Sequence, residues 1–165
     1  MMKAIELTAS NVDLLIEFEK KARVSEPEIF ISAFDETNFY RRTLDALNNP
    51  LYASAHCLMC VDDVLGAMGR LDYAILPSFS FGGNLRVYVD WVYILKEHRR
   101  RGVAQFLFAS MENRLKTMGI DEYFLVMAEN SEAQRFYRNF PGAQIERHEL
   151  LTKNIITTNA EGVDQ

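Results

Sequence analysis

Hydrophobic and polar positions along this chain change period several times, and each change marks an element. Lys3 to Leu7 alternates weakly, as a first strand would. Val12, Leu15, Ile16 and Ala22 recur at roughly helical spacing behind Ser10, with Asp13 three residues on, so Ser10 is expected to cap a helix ending near Arg23. After the irregular, aromatic stretch Val24 to Phe34, Asp35 can cap a second helix with Phe39, Tyr40, Leu44 and Leu47 on its apolar side. Asn48-Asn49-Pro50 stops it. Two strands, about Ala55 to Val61 and Val64 to Tyr73, read as a hairpin turning at Asp62-Asp63, and Pro77 to Asn84 reads as a loop.

From Val87 to Leu95 nearly every residue is apolar or aromatic, the pattern of a strand buried on both faces. Asp90 is the exception, and a carboxylate in such a strand is costly unless paired. Strict alternation puts Arg86, Tyr88, Asp90, Val92 and Ile94 on one face and Val87, Val89, Trp91 and Tyr93 on the other. The polar residues then converge on one side, which is expected to border a substrate cleft. Past a basic loop, Val103, Phe106, Leu107, Ser110, Met111, Leu115 and Met118 form one helix face, stopped at Gly119, with Glu112 and Lys116 paired on the other side. Glu122 to Met127 reads as another strand. Ser131 to Gln134 has capping-box spacing, opening a helix through Ala133, Phe136, Tyr137 and Phe140. Ala143 to Thr152 reads as a last strand and Thr157 to Gln165 as a loose tail. With no internal repeat and no linker, residues 1–165 are expected to form a single domain.

The order of strand, glycine-bearing basic loop and helix has a chemical meaning. Amides of a helix's first turn lack intrahelical acceptors and sit at the positive end of the macrodipole, so a phosphate placed there is hydrogen-bonded and electrostatically favoured. Gly102 lets the backbone approach closely because it has no side chain. Arg99-Arg100-Arg101 adds positive charge, although no more than one or two of these side chains can reach one phosphate. A solvated basic turn is the plain alternative.

Arg99-x-x-Gly102-x-Ala104 resembles the pyrophosphate loop of the GNAT superfamily of acetyl-CoA-dependent N-acetyltransferases. Asn130-Ser-Glu-Ala133-Gln-Arg-Phe136-Tyr137 is similar to that family's later motif. The two motifs cover about the C-terminal half. The resemblance implies a GNAT-like α/β (α+β) fold: a mixed, mostly antiparallel central sheet with splayed parallel central strands and helices on both faces. It implies acetyl-CoA as co-substrate, its pyrophosphate lying on Arg99 and Arg100 and on the backbone of Arg101, Gly102, Val103, Ala104, Gln105 and Phe106. The pantetheine arm and acetyl carbonyl would meet the backbone near Ile94 and Leu95, with the Ile94 amide as oxyanion donor. Asn130, Ala133 and Phe136 would line the same co-substrate, and Tyr137 would protonate the departing thiolate.

A general base does not carry over by resemblance. Some members place a glutamate where this chain has Tyr88, and aminoglycoside-modifying members place an aspartate where it has Trp91. Asp90 is therefore the candidate on its own merits, as base or as the anion that holds an ammonium, with an ion pair to Arg86 as the competing explanation. Family members also follow the tyrosine with a Gly-Phe turn, whereas this chain has Arg138-Asn-Phe-Pro-Gly-Ala143. An altered loop is expected there. In the family the two N-terminal helices border the acceptor, so Glu26, Glu28, Asp35 and Glu36 could face an amine or could simply be solvated.

Composition narrows the rest. A chain of 165 residues, 48% hydrophobic and 12% aromatic, suits one soluble globular domain. A net charge of −5 argues against a nucleic-acid partner and mildly favours a cationic substrate. The absence of a spanning-length apolar run or signal-peptide pattern makes a cytoplasmic location, away from membranes, the expectation. Cys57 and Cys60 fall on opposite faces of a strand and read as buried reduced thiols, and the three histidines, His56, His98 and His148, lack metal-ligand spacing. No metal is expected. The expected activity is acetyl transfer to a primary amine of a small molecule or peptide, the alternative being a non-catalytic CoA-binding regulatory module. A homodimer through the aromatic-rich 73–93 region is compatible with the resemblance.

Overall fold

The computed structural model describes residues 1–79, 83–147, 149 and 151–153. They fall into two compact units, residues 1–126 and the residues from 127 onward.

The first unit is a five-stranded sheet in sequence order: β1 (Lys3–Glu6), β2 (Ala55–Asp62), β3 (Gly66–Ser78), β4 (Asn84–Ile94) and β5 (Tyr123–Leu125). The first four pair antiparallel, and β4 with β5 parallel. Its helices are α1 (Val12–Ser25), α2 (Glu36–Leu47) and α3 (Val103–Thr117). Helix α1 packs its Leu15, Phe18 and Ala22 with Met59 of β2, Ala67 of β3, Tyr93 of β4 and Leu95, in one buried cluster. Helix α3 covers the opposite face.

Local chemistry explains the boundaries. Asp35 caps α2 as expected, accepting from the Asn38 amide at 3.0 Å. Ser10 does not cap α1. Asn11 occupies that position with no side-chain cap, because its amide group bonds the Thr8 N–H and the Glu6 carbonyl and so tightens the turn after β1. In the β2–β3 turn Asp62 accepts from Val64 and Leu65, and Gly66 takes φ +73°. Strand β3 runs on to Ser78, through a proline expected in a loop. Pro77 is tolerated there because β2 pairing ends at Ala55↔Ala74, leaving β3 with β4 alone as its neighbour.

Strand β4 corrects a larger expectation. Asp72 pairs with Trp91 but Tyr73 pairs with Val89, so Asp90 is the extra residue of a β-bulge. The bulge resets the alternation. Val87, Val89, Val92 and Ile94 now oppose Ile75, Tyr73, Leu71 and Gly69 on one face, while Arg86, Tyr88, Trp91 and Tyr93 share the other. Asp90 is exposed, not buried between layers. Nor does Arg86 hold it, since that guanidinium lies 3.6 Å from Glu122 and stacks over Phe124.

In the second unit α4 (Ser131–Arg138) is capped by Asn130, whose side chain accepts from the Ala133 amide at 2.8 Å, so the cap lies one residue before the expected Ser131. Among the described residues of 143–152 none is in a strand, and His148, Leu150 and the expected tail lie outside the described residues.

Candidate functional site

The chemistry-bearing segment begins where β4 ends. Leu95 donates its N–H to the Met68 carbonyl at 3.0 Å. Ile94, opposite Gly69, is therefore a non-hydrogen-bonded pair whose own N–H and C=O point away from β3. On that far edge β5 is paired with β4 through residues 87–89 and no further. The strands part at the bulge, leaving the edge beyond it without a β5 ladder.

The chain then makes a short 3-10 turn at Lys96–His98 and a tight reversal. Arg100 takes φ +59° and Gly102 φ +78°, both left-handed. Gly102 is the N-cap residue of α3, with no side-chain cap, and the first helical amide to find a backbone acceptor there is Phe106, bonded to the Gly102 carbonyl at 2.9 Å. The amides of Val103, Ala104 and Gln105 are the ones a helix leaves unpaired. A Cβ placed on Gly102 would meet nothing within 4 Å, so there is open space beside them. Gly69 makes the opposite statement: a Cβ there would lie 2.6 Å from Ile94 Cδ1 and 2.8 Å from Val103 Cγ1. Without a side chain at residue 69, Ile94 of β4 and Val103 of the first turn of α3 can both pack over it as they do. Sequence reading passed over Gly69, whose role depends on which residues the fold sets opposite it.

The predicted site residues of this unit thus form one continuous stretch, but their side chains divide. Leu95 and Val103 are core, Ala104 and Phe106 are half-buried, and Arg100, Arg101 and Gln105 are exposed. Arg99 turns inward: its Nη1 donates to Glu26 Oε1 at 3.0 Å, its Nη2 to Glu26 Oε2, and its Nε to the Ile94 carbonyl at 3.1 Å. Glu26, expected to face an amine or solvent, is buried. Burial pushes its carboxyl up, but the Tyr93 hydroxyl and the Arg99 guanidinium outweigh that and hold it below the usual carboxylate range.

Further along the same face Glu19, also buried, accepts from Arg23 and from Arg70, and Arg70 reaches Asp72 as well. Cys57 stands opposite Asp72 and Cys60 opposite Gly69, on different faces of β2. Burial raises both thiols, Cys60 to about 11, so neither is a thiolate near neutrality. Among the described residues no group of three or more His, Cys, Asp or Glu side chains is placed to hold a metal ion, and no helix is long and apolar enough to cross a membrane.

In the second unit Asn130, Ala133, Phe136 and Tyr137 follow one another around α4. Ala133, Phe136 and Tyr137 are half-buried, the two rings meeting edge-on with centroids 5.1 Å apart. Burial pushes the Tyr137 phenol up, so it keeps its proton well past neutrality. The Asn130 side-chain oxygen is engaged as the helix cap.

A comparison with curated proteins finds no significant match. Among solved structures, a transcriptional regulator from Bacillus halodurans C-125 superposes with a TM-score of 0.74 at 16% identity, covering 93% of this chain and 100% of that one. A ribosomal-protein-alanine N-acetyltransferase from Brucella melitensis biovar Abortus 2308 gives 0.69 at 13% identity, with coverage of 93% and 100%. An aminoglycoside 6'-N-acetyltransferase from Acinetobacter baumannii gives 0.66 at 16% identity, with coverage of 94% and 99%. At these identities the likeness is one of fold. The model of the acetyltransferase (GNAT) family, however, matches residues 19–140, taking in β4, the loop, α3 and α4. With well over half of its length matched in this way, the chain belongs to the GNAT acetyltransferase family.

Proposed function

We propose that this single-domain acetyltransferase takes its acetyl group from acetyl-CoA and delivers it to a primary amine of a small molecule or peptide. The observation that carries the reading is the continuity of the open edge at Ile94 with the uncapped first turn of α3, only nine residues further on. The residues present fit the co-substrate: unpaired amides beside open space suit a diphosphate, and the exposed Arg100 and Arg101 add positive charge. When bound, acetyl-CoA supplies an acyl group activated as a thioester.

Each residue then has a task. The amides of Gly102 to Gln105 hold the diphosphate, and Ile94 offers the strand edge to the pantetheine arm; Leu95 lies beside it in the core, its N–H spent on Met68 and its carbonyl accepting from His98. The Ile94 N–H, freed from the ladder, donates to the oxyanion that forms when the amine attacks, a contribution typically worth ~10²–10³ in rate. Asp90, exposed at the bulge four residues earlier, attracts the ammonium and takes its proton through water. Tyr137, its phenol kept protonated by burial, gives a proton to the thiolate, whose free pKa is ~8.5. Asn130 stiffens as its cap the short helix α4 that carries Ala133, Phe136 and Tyr137, the residues assigned to the co-substrate by resemblance. A cytoplasmic location belongs to the same proposal, and two copies would pair through exposed side chains of the 73–93 region such as Phe79 and Trp91, since its Tyr73 and Tyr93 are core.

Free-thiol release from acetyl-CoA across a panel of amines tests the reading. Amine-dependent release is expected. CoA binding without release by any amine would favour a regulatory module, and no CoA binding at all would end the proposal. Within an active enzyme, Tyr137→Phe should lower turnover about 100-fold while leaving CoA affinity within about threefold.

A further inference from the structure

The Glu26 carboxylate belongs to none of the steps above, yet it is among the most buried charged groups of the first unit, 6% exposed. A buried charge is costly unless its partners are fixed around it, and here every partner belongs to a different piece of the chain. Arg99 reaches it from the diphosphate loop through both terminal nitrogens, and the Tyr93 hydroxyl reaches it from β4. The third nitrogen of the same guanidinium binds the carbonyl of Ile94. The fork thus spans two acceptors whose spacing it sets, which an ammonium group could not do.

On the other side, the Glu26 backbone closes α1 and opens the turn into the 27–34 segment. Its N–H donates to Ala22 at 2.9 Å, and its carbonyl accepts from Ile29 at 3.0 Å and Phe30 at 3.3 Å. Phe30 stands edge-on to Tyr93 with centroids 5.1 Å apart, and the Arg23 guanidinium lies 4.2 Å from the centre of the Phe34 ring. Segment 27–34 is therefore folded back against β4 by contacts that begin at Glu26.

We propose that Glu26 is a positioning residue that fastens two parts of the enzyme with one carboxylate: the 95–102 loop that receives the diphosphate, and segment 27–34 on the acceptor side. The proposal rests on the diphosphate reading of the loop. Arg99 immediately precedes Arg100, a non-glycine residue held in a left-handed conformation, so anchoring Arg99 fixes the reversal that aims the amides of α3. Because both segments hang on the same group, a ligand that steadies the loop also steadies segment 27–34, and an occupied acceptor side returns the same coupling. CoA and acceptor then bind with positive cooperativity that is lost when the carboxylate is replaced.

Hydrogen exchange of the full chain, read on peptides spanning 26–34 and 95–106, with calorimetric titration of CoA, tests this. In Glu26→Gln the bonded amides of Ile29, Phe30, His98 and Phe106 should exchange at least about 10-fold faster without ligand, while peptides from β2 and the C-terminal half of α3 keep their rates. CoA should bind about 10-fold more weakly, and kcat should fall less than threefold. Arg99→Lys should reproduce both effects, and the double variant should be no worse than either single one. CoA should slow exchange at 26–34 in the unaltered protein but not in Glu26→Gln. Unchanged loop exchange and CoA affinity in a folded Glu26→Gln would overturn the proposal, and so would acceleration spread evenly over the whole sheet. If Glu26→Gln does not fold, Arg99→Lys and Tyr93→Phe carry the same expectations and the same refutations. Should the unaltered protein bind no CoA, the diphosphate reading fails, while the ligand-free exchange rates still decide whether Glu26 fastens the two segments.

Discussion

The β4–α3 layer has two ends that differ in almost every respect. At one, Ile94, Gly69 and Val103 are pressed together and the chain leaves the strand through a strained reversal. At the other, Pro77, Phe79, Leu85, Met118 and Ile120 line an open recess of about 410 Å³. The roomy end offers mainly apolar walls, with Asp121 the one charged residue lining it. The cramped end offers unpaired backbone donors, positive side chains and a strand edge without a ladder. For a diphosphate, close backbone approach and helix-end amides count for more than volume. The end proposed to bind the co-substrate is thus the one with less space.

The most damaging way to break this contrast is to fill the cramped end. In Gly69→Ala the new methyl group cannot coexist with the Ile94 and Val103 side chains where they stand, so the Ile94 end must swing away and the stiffer Val103, in the first turn of α3, must give as well. Overpacking of this kind typically costs ~1–3 kcal/mol. We expect a loss of that size in urea unfolding, together with at least a 10-fold fall in kcat/KM for acetyl-CoA. Full activity in a folded Gly69→Ala would show that the close approach does not matter to the site.

Asp90 tests the chemistry at the point where the strands part. Asp90→Asn should reduce turnover about 10-fold near neutrality, with part of the loss restored as pH rises and the amine deprotonates in solution. A ratio of variant to unaltered rates that stays constant with pH would remove Asp90 as proton acceptor.

A gentler experiment compares matched glycines at the two ends. Gly102 has φ +78° and Gly119 φ +71°, and a Cβ on either would meet nothing within 4 Å. Gly102→Ala and Gly119→Ala should therefore cost a similar ~1–2 kcal/mol from the left-handed backbone alone. Their functional effects should differ: about 10-fold weaker CoA binding for Gly102→Ala, and a change within twofold for Gly119→Ala. Equal effects on CoA would mean that the recess end is as close to the co-substrate as the loop is.

How far the chain could be read in advance follows the same division. Local signals were legible: Asp35 as a cap, Gly102 before α3, Gly119 after it, and the Asp62 turn each act through neighbours a few residues away. What escaped depends on pairing across the sheet. The bulge at Asp90 arises from the register between β3 and β4, which periodicity within β4 cannot reveal, so faces assigned by strict alternation were exchanged for Arg86 and Tyr88 against Val87 and Val89. Gly69 looks like an ordinary strand glycine until Ile94 and Val103 are placed on it. Arg99 and Glu26 are separated by 73 residues, and nothing in the spacing of either announces the other. The reversal before α3 was legible as a backbone device, and the use its first arginine makes of a buried carboxylate was not.

That ion pair also yields the smallest of the expected effects, one of pH. The Glu26 carboxyl lies below its ordinary value in the folded protein, so folding favours its charged form. Its stabilisation is complete above the unfolded value of ~4.3 and is lost as pH falls from there through the lower folded value. Glu26→Gln lacks this dependence. The stability gap between the unaltered protein and Glu26→Gln, measured by urea unfolding, should be constant from pH 7 to about 5 and shrink steadily below about pH 4.3. Recess-end variants such as Leu85→Ser carry no titrating group, so their gap should stay flat over the same range. A Glu26→Gln gap that is also flat to pH 3 would show that the carboxylate gains nothing from Arg99 and Tyr93, and would leave the loop held by its backbone and by Gly69 alone.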